Sequence, residues 1–153
     1  MLTLTEQINK RNWWHSPPAD KKAYRKRGIF LASSYKECEF YGRPLNKPIK
    51  VSVSNPLVDT EENVIRLLFG DDSPQMSAHM ALKAGGAREP LKVRFKLDKD
   101  LFSAAKGNNY DAIAIVTEKG LEKVRNCRLP KSVELNVLDI ENGIFIKRTG
   151  YLK

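Results

Sequence analysis

The sequence predicts an α+β fold: a single domain over residues 1–153, with a largely antiparallel, split β-sheet, flanking helices, and helices from Thr60 to Ala84 inserted at one side. Three observations carry this expectation. Between Gly28 and Asp59 the chain reads strand, short helix, strand. Alternating apolar residues recur at Ile49 to Val53, Leu91 to Leu97 and Ser132 to Leu138. Two apolar stretches between them are bracketed by helix-capping residues and end at Gly70 and Gly85.

In chain order, Leu4 to Lys10 reads as a short helix capped by Thr3 or Thr5. Trp13, Trp14 and His15 follow as a strand. Adjacent tryptophans cannot share one side of it, so one goes to the core and the other to a cleft or partner. Pro17 and Pro18 stop that strand, and Asp20 to Arg27 is a basic, exposed connection into Gly28. Ile29, Phe30 and Leu31 are β-prone, Ser34 and Glu37 form a capping box, and Gly42 ends the short helix. Ile49, Val51 and Val53 alternate with Lys50, Ser52 and Ser54 until Pro56 closes the strand. A glycine feeding a strand, an aromatic within it and a second aromatic on the next helix suggest a slot for a flat ligand.

Asp59 and Glu62 start a helix whose apolar face is Val64, Ile65 and Leu68. Ser73 at the N-cap, Pro74 after it and Gly85 beyond the last turn bracket another. Leu91, Val93, Phe95 and Leu97 alternate with Lys92, Arg94 and Lys96, which predicts a strand with a basic outer face. Asp98 caps a short helix through Lys106 that Gly107 ends, and Ala112 to Val116 reads as a strand buried on both faces. Lys119 to Arg125 makes a turn or two of helix. Ser132 to Leu138 and Ile144 to Lys147 are strands flanking an Asn142-Gly143 turn.

Composition narrows the function classes. A length of 153 residues and a hydrophobic fraction of 41% suit one globular core, and no apolar run approaches the ~20 residues of a membrane span. No signal-peptide pattern opens the chain, so the expected location is the cytoplasm, with no membrane partner. Cys38 and Cys127 lack neighbouring ligands at metal spacing, so no metal is expected and both thiols are expected to be buried and free. The net charge of +9 is concentrated in Lys10-Arg11, Lys21-Lys22 and Arg25 to Arg27, which suits a nucleic acid, a pyrophosphate or an acidic protein. P-loop, Gly-x-Gly-x-x-Gly, Gly-x-Ser-x-Gly and His-Glu-x-x-His motifs are all missing.

Several blocks, taken in order, resemble the ADP-ribosyltransferase-like superfamily in its His-Tyr-Glu form. They are Trp14-His15-Ser16-Pro17, Gly28-Ile29-Phe30-Leu31-Ala32-Ser33 with Tyr41 beyond it, Asn55-Pro56-Leu57, Tyr110-Asp111-Ala112-Ile113, and Ser132-Val133-Glu134-Leu135-Asn136. The resemblance implies an NAD-dependent ADP-ribosyltransferase or NAD glycohydrolase-like protein that transfers ADP-ribose to a protein or nucleic-acid acceptor. It assigns Glu134 as the catalytic carboxylate, Phe30 and Tyr41 as the rings that hold nicotinamide, and His15 and Ser16 as the residues that hold the adenosine-side ribose. The sequence departs from the pattern in lacking the glycine after His15, in carrying Phe rather than Tyr at position 30, and in placing Asn109 where glycine is usual.

From the residues alone, Val133, Leu135 and Val137 face one way, so Glu134 and Asn136 project the other. Glu134 then reads either as that carboxylate or as a solvated glutamate, with Glu141 near the following turn as the other acidic candidate. Phe30 and Tyr41 read either as cleft or as core, and His79 either packs or faces solvent. An alternative function is a non-enzymatic basic module for nucleic acid or an acidic protein, using Lys92, Arg94 and Lys96 with Arg25 to Arg27.

Overall fold

The computed structural model describes residues 1–141 and the strand Ile144–Phe145. Its architecture is α+β. The elements are α1 (Leu4–Lys10), β1 (Trp14–His15), α2 (Ala23–Arg27), β2 (Ile29–Ala32), α3 (Tyr35–Cys38) running into a 3₁₀ turn (Glu39–Tyr41), β3 (Lys50–Val51), β4 (Pro56–Asp59), α4 (Glu61–Phe69), α5 (Pro74–Ala84), α6 (Pro90–Gly107), β5 (Ala112–Ile115), α7 (Glu118–Arg125), β6 (Glu134–Val137) and β7 (Ile144–Phe145). Five strands form one mixed sheet in the order β1-β2-β6-β5-β4, antiparallel except for the parallel β4–β5 edge. A separate antiparallel pair, β3–β7, is joined to the chain before β1 by a bridge between Trp13 and Ile49. No helix among the described residues is long and apolar enough to cross a membrane.

The sheet divides the interior in two. Pairing sets Ile29, Leu31, Ala112, Ala114, Leu135 and Val137 on one face, where they pack with Trp13, Ile8 and Tyr24. The other face carries Phe30, Ala32, Ile113, Ile115, Glu134 and Asn136. Over Ile113 and Ile115 lies a second core of Val64, Ile65, Met76, Leu97, Leu101 and Phe102. The tryptophans divide accordingly: Trp13 is fully buried with its indole N–H on the Ile8 carbonyl, and Trp14 stands half-buried against the edge of Tyr35.

Several expectations need correction. Leu91 to Leu97 is not a strand but the first half of α6, which Pro90 opens. The alternation was misleading because Leu91 (65% exposed) and Phe95 (44%) are not core residues, whereas Leu97, Leu101, Phe102 and Ala105 follow the helical period and are buried. Asp98 is therefore mid-helix, one turn beyond Arg94, and not a cap. Asp20 to Arg27 is not merely an exposed connection, because α2 buries Ala23 and Tyr24 and packs on α6. Pro56 does not close a strand: β3 ends at Val51, and the proline begins the edge strand β4, where a missing N–H is tolerated. Thr60, not Asp59, caps α4 by accepting from the Asn63 N–H. Ile49 to Val53 lies outside the main sheet, and the thiol of Cys127 is exposed. The expected Asn142-Gly143 turn and Lys147 fall outside the described residues.

Gly28 fixes how α2 meets β2. Its φ is +86°, and a Cβ there would stand 2.0 Å from Asn136 Oδ1 and 2.9 Å from the Val137 carbonyl oxygen. Asn136 uses that space to donate from Nδ2 to the Arg27 carbonyl at 2.8 Å. Gly28→Ala should therefore destabilise the fold by roughly 2 to 3 kcal/mol in urea unfolding, combining backbone strain with a displaced Asn136. An unchanged midpoint would show that β2 and β6 do not meet in this register.

Candidate functional site

The site grows from the row Trp14, Ala32, Glu134 and Ile115, which pairing places side by side on one face of the sheet. Ala32 is the small member, so Glu134 stands beside a low spot in that row. Over it the chain folds α3, whose N-cap Ser34 accepts from the Glu37 N–H, and then the 3₁₀ turn that ends at Gly42 with φ of +130°. The turn delivers Tyr41, whose hydroxyl donates to Glu134 Oε1 at 2.5 Å. The Phe30 ring stacks against Tyr41 with centroids 6.2 Å apart and planes 23° apart, and Phe40 meets Tyr41 edge-on at 5.4 Å.

Helices α4, α5 and α6 bring charge to the same face. Arg94 binds Glu61 through two 2.9 Å contacts and Asp98 at 2.7 and 3.0 Å, and His79 Nδ1 lies 2.9 Å from Glu61 Oε1. Burial raises the Glu134 carboxyl above its ordinary value; the Tyr41 hydrogen bond and Arg94 oppose this, while Glu61 and Asp98 add to it. Burial, and then the Glu134 charge, push the Tyr41 hydroxyl well above the usual phenol range. Burial also raises Asp98 against the pull of Arg94. Burial would raise Glu61 too, but the hydrogen bonds and charge of Arg94 and the contact with His79 outweigh it and hold Glu61 low.

Of the residues singled out in the sequence, Phe30, Tyr41 and Glu134 come together. His15 does not join them. It pairs opposite Leu31, which puts it on the far face, 2% exposed, with Nδ1 2.9 Å from the Phe30 carbonyl and Nε2 2.8 Å from the Tyr24 hydroxyl. Both ring nitrogens are thus engaged within the protein, and burial lowers the ring's pKa against the Phe30 hydrogen bond. Ser16 is buried as well, donating to the Cys38 carbonyl at 3.1 Å and so tying β1 to the turn that carries Tyr41. The expectation that His15 shares a cleft with Tyr41 and Glu134 fails on strand register. Glu141 lines a different cleft, of about 600 Å³, together with Arg25, Lys106 and Tyr110; neither Tyr41 nor Glu134 borders it.

The sequence reading did not join Arg94, Glu61, Asp98 and His79: it put Arg94 on a basic strand face, Asp98 at a helix cap and left His79 packing or facing solvent. Arg94 and Asp98 are neighbours only at helical spacing, so reading this segment as a strand hid the pair. Among the described residues, no group of three or more His, Cys, Asp or Glu side chains is arranged to hold a metal ion. The arrangement offers a flat aromatic surface beside a half-buried carboxylate, with a hydroxyl donor on that carboxylate and a guanidinium nearby.

Two measurements check these electrostatics. By NMR, the Glu134 carboxyl should titrate above the ordinary glutamate range, and Tyr41→Phe should move it higher still by removing a donor that favours the ionised form. A carboxyl raised in this way favours the fold at acid pH, an advantage lost as pH rises through its folded value. Arg94→Met should cost about 2 kcal/mol at neutral pH by taking the guanidinium from Asp98 and leaving Glu61 with His79 alone, less than for a fully buried pair because the network is partly exposed. That loss should shrink as pH falls and the two acids take up protons; a pH-independent loss would mean that Arg94 acts through packing. No family model, curated protein or solved structure matches this chain, so the chemistry open to the site rests on its own residues.

Proposed function

We propose that this chain binds NAD and cleaves its nicotinamide–ribose bond, transferring ADP-ribose to an acceptor or to water, in the manner of the ADP-ribosyltransferase-like proteins its motifs resemble. One observation carries the reading: Tyr41, stacked on Phe30, is hydrogen-bonded to Glu134, three residues separated in sequence and singled out by those motifs. The fit is partial. The nicotinamide side finds aromatic faces and a carboxylate, but the adenosine side lacks the histidine expected for its ribose, since His15 is turned away and engaged.

In the reaction, the bond from ribose C1′ to the nicotinamide nitrogen breaks and its electron pair leaves with neutral nicotinamide. An acceptor nucleophile then bonds C1′ and gives up its proton. Positive charge develops on the ribose as the bond stretches, and an ionised Glu134 would stabilise it in a site where water is partly excluded. Tyr41 aims that carboxylate and favours its ionised form, and the exposed Tyr41 ring, backed by the partly buried Phe30, supplies stacking area for the leaving ring. Because burial raises Glu134, turnover should climb with pH through the upper carboxylate range and then level off.

The second reading, a non-enzymatic basic module, keeps Arg25 and Lys26 exposed on α2 but loses the α6 half of the face expected for it. Lys92, Arg94 and Lys96 lie on α6 and pair with Glu89, with Glu61 and Asp98, and with Asp100.

Glu134→Gln decides the catalytic role. The amide can still accept from Tyr41, so NAD affinity and thermal stability should hold. Nicotinamide release should fall on the order of 10²-fold or more, the scale of one lost electrostatic stabiliser. Equal rates in the two proteins would remove Glu134 from the chemistry, and no release by the wild type with water or any acceptor would sink the reading.

A further inference from the structure

We propose that the outer side of α2, together with the flank of α6 packed against it, binds the phosphate backbone of a nucleic-acid duplex without reading its sequence. Lys22, Arg25 and Lys26 are exposed at α2, and Lys99 and Lys106 on α6. The two helices pack on one another, and the Arg27 guanidinium lies 3.8 Å from the centre of the Phe95 ring at their contact. Phe95, Lys99, Phe102 and Lys106 share one stripe of α6 at helical spacing, and Phe102 and Lys106 border the same cleft as Arg25. The five cations therefore belong to one surface.

Charge on this surface is not balanced. Asp20 to Arg27 carries five cations and one carboxylate, and Lys99 and Lys106 add two cations. None of the five exposed side chains named above forms an ion pair with the described residues. The neighbouring acids of α6 are taken, Asp98 by Arg94 and Asp100 by Lys96 and Gln75. Even when Asp111, Asp139 and Glu141 of the cleft are counted with Asp20, seven cations stand against four carboxylates.

The kind of polyanion follows from what the surface lacks. The apolar residues of α2, Ala23 and Tyr24, are buried, and Phe95 lies under Arg27. An acidic protein would need an apolar centre to bury, and a single strand would need open rings for its bases. A duplex keeps its bases stacked inside and presents phosphates at high density, and contacts to these need only cations. Lys99 and Lys106 are ~10 Å apart along α6, so with α2 beside them the surface can meet several phosphates at once. Such binding does not rest on the NAD reading, whose residues lie elsewhere.

The experiment is fluorescence anisotropy with a labelled DNA duplex of about 15 base pairs over a series of salt concentrations, without NAD. The logarithm of the affinity should fall linearly with the logarithm of salt, with a slope of about −4 to −5 for five phosphate contacts. Arg25→Gln with Lys26→Gln, at positions the fold does not bury, should keep the melting temperature, weaken binding about tenfold or more at low salt and reduce the slope by about 2. Lys99→Gln should reduce it by about 1 from the second helix. Removing the same charge from α7, by Lys119→Gln with Lys123→Gln, should leave affinity within about twofold. Weakening by the α7 pair equal to that by the α2 pair would overturn the proposal, because net charge alone would then explain binding. It is also overturned if the α2 pair binds as wild type does, if a single strand of the same length or polyglutamate binds as tightly as the duplex, or if no duplex binding is found at low salt.

Discussion

The pairing of β2 with β6 is the constraint from which the rest of the structure follows. It sets Ala32 opposite Glu134 and Phe30 opposite Asn136, so the carboxylate and the ring that Tyr41 stacks on share a face. A slip of β6 by one residue would turn Glu134 and Asn136 into the apolar interior and bring Leu135 and Val137 out, an exchange that burial forbids. The register is also held locally. Asn136 binds the Arg27 carbonyl across a gap that exists because Gly28 has no Cβ, while Asn136 Oδ1 is buried without a partner among the described residues. Leaving that atom unsatisfied costs about 1 to 3 kcal/mol, a penalty the sheet carries at the spot where its register is set.

The two faces of the sheet are closed differently. One is sealed by apolar side chains from α1, β3 and the segments around α7. The other is only partly covered by α4 to α6, which seal Ile113 and Ile115 with their apolar sides and meet the remaining polar end with Arg94 and its carboxylates. Arg94 makes no ion pair with Glu134 within 4 Å but lies near enough to pull its pKa down, against the push of Glu61 and Asp98. The helical layer thus sets the field at Glu134 without occupying its hydrogen-bonding capacity, which goes to Tyr41.

What could be read from the sequence follows physical locality. Helix α5 was legible end to end because Ser73, Pro74 and Gly85 act within a turn of themselves, and β6 was legible because Val133, Leu135 and Val137 alternate on one buried face. Helix α6 was not: seven residues of alternation fit a strand, and the helical signal lies in the next turns, where Leu97, Leu101 and Ala105 are four apart. The strand β4 was hidden by its leading proline, which reads as a stop unless the strand is known to be an edge. In the site, the resemblance put Phe30, Tyr41 and Glu134 on one ligand while the residues alone left them open between cleft and core, and the side on which His15 lies depends on the β1–β2 register, which two residues of β1 carry too little pattern to fix. Arg94 and Glu61 are 33 residues apart and meet through tertiary packing, which no local signal encodes.

The directions of the pKa shifts set Glu61 apart from the other buried acids on this side of the sheet. Glu61 and Glu134 are both shielded from water on the same side of the sheet, yet Glu61 is carried below its ordinary value and Glu134 above. A carboxylate below its usual value is one the fold has supplied with partners, and its charge contributes to stability. One above it is charged at a cost, and here a neutral side chain of the same shape would satisfy Tyr41 without that cost. Direction alone assigns no role, since Asp98, which shares Arg94 with Glu61, is raised by burial as Glu134 is; what distinguishes Glu134 is that its hydrogen-bond partner is a neutral hydroxyl and not a guanidinium. Tyr41 fits the same distinction, because its hydrogen bond lowers the cost of the Glu134 charge only in part. That leaves the carboxylate oriented but electrostatically unsatisfied, the state in which a developing positive charge nearby would be stabilised most.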